Sequence, residues 1–79
     1  MTAAPYQIQI APRAHQQILS LTLKQQMNFL KVVDTLSINP RPPGAIRIEG
    51  LTGLYCQLVE NIKIIYKVEE QTILILLVK

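Results

Sequence analysis

A chain of 79 residues supports one hydrophobic core rather than two, and it buries only about 60% of the surface its unfolded form exposes. Yet 49% of the residues are hydrophobic and 16% are charged, more apolar area than so small an interior hides, which predicts an exposed apolar patch and a partner for it. The net charge of +3, without any block of five like charges, excludes a basic arm, and the lone Cys56 excludes both an internal disulfide and a Cys-cluster zinc site.

The N-terminal "MTAAPYQIQI" has no signal-peptide pattern, and the longest apolar run, residues 73–78, is too short to span a bilayer. A single thiol suits a reducing compartment, so a cytoplasmic protein free of the membrane is expected. Residues 6–10, "YQIQI", alternate with period two and predict a half-buried strand with Tyr6, Ile8 and Ile10 facing in. Pro12 fits the first turn of a helix, and Ala14, Ile18 and Leu21 give that helix an apolar side with His15, Gln16 and Gln17 mostly outside. Thr22 and Gln25 stand in capping-box positions for a second helix. Its broad stripe of Leu23, Met27, Phe29, Leu30, Val32, Val33 and Leu36 is expected to touch the first helix and a sheet. "NPRPPG", residues 39–44, ends it, because Pro40 restricts Asn39 and the Pro42-Pro43 pair cannot continue a helix.

The period then changes. "AIRIEGL" reads as a short extended stretch, followed by three β segments over residues 54–59, 62–68 and 72–78. The expected fold class is α+β in the order β-α-α-β-β-β, one domain over residues 1–79. A helix hairpin packs on one face of a mostly antiparallel sheet.

A two-residue loop at Glu60-Asn61 sets Val59 opposite Ile62 and Leu58 opposite Lys63. One face then carries Tyr55, Gln57, Val59, Ile62, Ile64, Tyr66 and Val68. It holds no charge and is the expected core face, although Gln57 needs a hydrogen-bond partner there. The other carries Leu54, Cys56, Leu58, Lys63, Ile65 and Lys67. The last segment, "TILILLV", is apolar on both sides, as a strand buried on both sides would be. Leu54, Cys56, Leu58, Ile65, Leu74, Leu76 and Val78 are therefore expected to form an apolar sheet surface for a second chain, either a different protein or another copy.

Side chains for catalysis are few. The single His15 reads as a solvated helix residue and Cys56 as an inert strand thiol. No metal-ligand spacing, phosphate loop or dinucleotide fingerprint occurs, so no metal and no cofactor is expected. Arg41, Arg47, Lys63 and Lys67 are the candidates for binding phosphate or RNA. Lys63 and Lys67 share a strand face roughly 13 Å apart.

The order of elements resembles the RelE/ParE superfamily of bacterial toxins, as do "NPRPPGAIRIEGL", "GLYCQLVENIKIIYKV" and the closing "TILILLVK". The resemblance runs from Tyr6 to Lys79. It implies the toxin of a type II toxin–antitoxin pair, with a cognate antitoxin as partner. RelE-like members cleave mRNA on the ribosome, whereas ParE-like members inhibit DNA gyrase. The family's basic pair falls at Cys56 and Leu58, its strand Arg at Lys63 and its second Tyr at Tyr66. Its C-terminal Arg and Tyr would fall beyond Lys79, which implies a C-terminally short member. Lys63 is thus the one candidate catalytic residue for ribonuclease action. The alternative is a catalytically silent member of the same fold that acts through protein contacts.

Overall fold

The computed structural model describes residues 6–48, 50 and 53–79. Among these, five strands and two helices follow one another as β1 (Gln7–Ile10), α1 (Pro12–Leu19), α2 (Leu23–Ile38), β2 (Ile46–Arg47), β3 (Leu54–Val59), β4 (Ile62–Val68) and β5 (Thr72–Val78). They form one α+β sheet in the order β1-β5-β4-β3-β2, parallel between β1 and β5 and antiparallel elsewhere. Of the stretch "AIRIEGL" only Ile46 and Arg47 pair as a strand; Glu49 and Leu51 lie outside the described residues.

The helices begin and end where the local chemistry requires. Pro12 occupies the first turn of α1, where its missing N–H costs nothing. At the start of α2 the Gln25 N–H donates to Thr22 Oγ1 (3.1 Å) and the Thr22 N–H donates to Gln25 Oε1 (3.0 Å), a complete capping box. Gln26 Nε2 donates to the carbonyls of Ile18 (3.1 Å) and Leu21 (3.4 Å), closing the hairpin by satisfying the end of α1. Asn39, held extended before Pro40, stops α2.

The core is the seam between the helices and the two central strands. Ala14, Phe29 and Leu36 meet Ile62, Ile64, Tyr66, Ile73, Ile75 and Val78. The β3–β4 register pairs Val59 with Ile62 and Tyr55 with Tyr66, as a two-residue loop dictates. Glu60 takes the left-handed conformation in that loop, and its carboxylate accepts from Asn28 Nδ2 (2.8 Å), tying the turn to α2.

Three expectations from the sequence change. Ile10 is on the inward side of β1, but β1 is an edge strand and Ile10 is exposed. Gln17 is half-buried rather than outside. Its Oε1 accepts from the Val78 N–H (2.7 Å), past the end of the β1–β5 pairing, where β5 has no β1 carbonyl to bond. Leu23, Met27 and Leu30 are exposed, because only the arc holding Phe29 and Leu36 reaches the sheet.

Candidate functional site

With both helices on one side, the other side of the sheet is open. The strand registers order it in three rows. Ile46, Cys56, Ile65 and Leu77 form the first, and Leu54, Lys67, Leu74 and Gln9 the second. The third is Leu58, Lys63 and Lys79, since Lys63 and Lys79 exchange both backbone hydrogen bonds (2.7 and 2.9 Å). Leu54, Cys56, Ile65, Leu74, Leu76 and Leu77 are half-buried by their neighbours alone, while Ile46 and Leu58 are 54% and 55% exposed. This surface is continuous, apolar in the middle and cationic at two corners.

Val78 does not belong to it. The β4–β5 pairing slips between Ile65 and Tyr66, so that Tyr66 faces Ile75 while Ile65 faces Leu77. Leu76 is the extra residue of a β-bulge, and every side chain after it changes sides. Val78 therefore turns into the core, 2% exposed, and Leu77 takes the open-face position next to Ile65.

The four expected phosphate-binding cations separate into two pairs on opposite faces. Lys63 and Lys67 stand on the open face. Lys67 Nζ lies 3.7 Å from Glu69 Oε2, a half-exposed pair that contributes little to stability. Among the described residues Lys63 and Lys79 form no ion pair, and like charges directly opposite in a sheet repel. Arg47 pairs with Tyr55 and so shares the helix side, as does Arg41. Arg41 Nε donates to Tyr55 Oη (2.8 Å), which pushes its guanidinium pKa up, and the guanidinium lies 5.4 Å from the Tyr55 ring centre. Tyr55 in turn stacks on Tyr66, with centroids 5.8 Å apart and 19° between planes. Tyr66 is fully buried and its Oη donates to the Pro40 carbonyl (2.8 Å). Burial, with a smaller push from Tyr55, raises its phenol to about 12.

On the helix side a cavity of about 360 Å³ opens between α2, Pro42-Pro43 and β3. Gln57 lines it, and Gln57 Oε1 is a buried acceptor without a partner among the described residues. Among the described residues no three His, Cys, Asp or Glu side chains gather as a metal site would need, and no helix is long and apolar enough to cross a membrane.

An open sheet face backed by a two-helix hairpin is also the architecture of solved toxin structures. The RelE of the archaeal RelE–RelB complex from Pyrococcus horikoshii superposes with a TM-score of 0.85 at 27% identity, covering 95% of this chain and 93% of that one. The chain shares the fold of RelE toxin structures. The intact E. coli RelBE toxin–antitoxin complex matches at 0.82 and 16% identity, over 92% of this chain and 93% of that one. The YoeB dimer from Staphylococcus aureus matches at 0.79 and 19% identity, over 96% and 97%. No protein-family model and no curated protein matches the sequence. Where the resemblance puts the basic pair of the RelE/ParE strand, this chain presents Cys56 and Leu58 on the open face, with Lys63 directly opposite Leu58. Tyr66, at the position of the superfamily's second Tyr, is committed to the core. Lys79, Leu77 and Ile46 complete the face. Only the registers of β5 and β2 reveal them.

Proposed function

We propose that this chain is the toxin of a type II toxin–antitoxin pair, and that its open sheet face is the working surface. The observation that carries the reading is the match to the P. horikoshii RelE, crystallised with RelB, over nearly the whole of both chains. The open face fits a protein partner: an antitoxin segment laid across it covers Ile46, Leu54, Leu58, Ile65, Leu74 and Leu77. Burying the exposed part of Leu58 alone contributes about 2 kcal/mol, or roughly 30-fold in affinity.

Two mechanisms are compatible with that role. In the first, the chain cleaves mRNA on the ribosome, with Lys63 as the residue at the scissile phosphate and Lys67 as a further phosphate contact. In the second, it acts by contact alone, on a gyrase-type target or as a silent partner of its antitoxin. Cys56 and Leu58 favour the second, because neither side chain offers the cation that steadies a scissile phosphate. A defined mRNA translated on purified ribosomes separates them. Cleavage in the ribosomal A site that disappears with Lys63→Ala establishes the first. Growth arrest on expression, without cleavage and unaffected by Lys63→Ala, establishes the second. A chain that neither arrests growth nor cleaves mRNA refutes both inhibitory mechanisms and leaves only the silent partner of an antitoxin.

A further inference from the structure

The outer side of α2 carries an apolar stripe that the core does not use. Leu23, Met27, Leu30 and Ile38 are 74%, 54%, 60% and 71% exposed. At 100° per residue these four, with Asp34 among them, fall within a sector of about 80°. Phe29 and Leu36, the buried residues of the helix, lie on the far side of it. A helix packed on a sheet ordinarily turns polar residues to water on this side. Here the four side chains expose on the order of 500 Å² of apolar surface, near the top of the range for the largest patch on a monomer.

We propose that this stripe packs antiparallel against the same stripe of a second copy of the chain. The charges argue for a copy rather than an unrelated helix. Let the two-fold axis pass between Leu30 and Lys31. Leu23 then meets Ile38 of the second copy, and the two Leu30 side chains meet beside the axis. Asp34 falls opposite Met27 of the second copy, between Lys24 and Lys31, which lie three residues before and four after that Met27. The symmetry repeats each contact. Asp34, Lys24 and Lys31 are exposed, and among the described residues none of them forms an ion pair. The sequence thus supplies the one acid inside the stripe and the two bases that answer it in an isologous contact. About 500 Å² from each copy gives roughly 1,000 Å² in total, the lower end of specific interfaces, so the dimer is expected at micromolar concentrations.

Sedimentation velocity on the full chain tests this, over loading concentrations from about 1 to 200 μM to bracket that range. The expected result is a concentration-dependent dimer whose dissociation constant rises at least tenfold with Leu30→Glu, an exposed position that leaves the fold, checked by circular dichroism, unchanged. Leu58→Asp, on the open sheet face, should leave the dimer intact. The charge test is sharper. Asp34→Lys alone and Lys24→Glu/Lys31→Glu alone should each be monomeric, while an equimolar mixture of the two should form a heterodimer. A wild-type chain that stays monomeric overturns the proposal. So does a dimer lost with Leu58→Asp but kept with Leu30→Glu, or a charge-swapped mixture that does not associate. None of these outcomes bears on whether the chain is a toxin.

Discussion

The Tyr66 hydroxyl offers a direct test of how the helix layer is tied to the sheet. Replacing it, Tyr66→Phe, keeps the ring and its stacking on Tyr55 but removes the bond to the Pro40 carbonyl at 2.8 Å. Pro40 is buried, so its oxygen is left without a donor, and the expected loss at neutral pH is about 1–2 kcal/mol. Alkaline pH adds a second signature. The phenol sits at about 12 in the folded protein, above the ordinary 10. A group whose folded pKa is raised contributes fully below its unfolded value and loses that contribution as pH rises toward the folded one. The wild type should therefore lose about 2–3 kcal/mol between pH 10 and 12 through this group. The Phe variant has no such group to titrate. Urea unfolding followed by circular dichroism between pH 7 and about 11.5, within and below this window, reads both effects. The wild type should lead at neutral pH and the gap should close, then reverse, above about pH 11. A gap that stays constant through the alkaline range would refute the buried, hydrogen-bonded phenol.

Two further substitutions probe the supports of the open face. Gly53 has φ of +79° and its carbonyl accepts from the Val68 N–H (2.8 Å); a Cβ there would stand 3.0 Å from the Val68 oxygen. Gly53→Ala should cost about 1–3 kcal/mol, lowering the melting temperature by roughly 5–15 °C in a scanning calorimeter. An unchanged melting temperature would mean the turn has room to relax. Gln57→Met removes the unpartnered buried oxygen while keeping the length of the chain, and should stabilise by about 1 kcal/mol in the same urea titration. A clear loss would show that the amide is satisfied by a bond it does not make here.

What the sequence made legible depended on whether it carried a marker of side or register. The Glu60-Asn61 loop did: two residues between two apolar runs fix Val59 against Ile62, and every pairing back to Leu54 and Lys67 follows. Thr22 and Gln25 did as well, because a capping box is a local device. β5 carried none. With apolar residues throughout Ile73–Val78, a slip of one residue leaves no charge on the wrong face, so the sequence does not show the bulge at Leu76 and its alternation puts Val78 on the open face. α2 failed for a related reason. Its exposed stripe and its core arc together make about two thirds of its circumference apolar, and periodicity cannot then say which arc is inside. Arg41 and Arg47 lie in a proline loop and a two-residue strand, too short for any period, so only the topology could part them from Lys63 and Lys67.

The two apolar surfaces left uncovered have different physical characters, and this bears on how the chain can be used. The open face is built from five strands and carries Lys63, Lys67 and Lys79, with Glu69 paired to Lys67. Its excess of positive charge disfavours a second copy and favours a partner that brings acidic groups. The α2 stripe is narrow, convex and self-complementary in charge, which favours a copy. The core lies between them, so covering one leaves the other accessible. A domain this small cannot enclose all the hydrophobic side chains its sequence carries. Here the surplus is sorted onto two sides with different electrostatic demands, so a partner on the sheet and a second chain on the helix need not compete for the same ground.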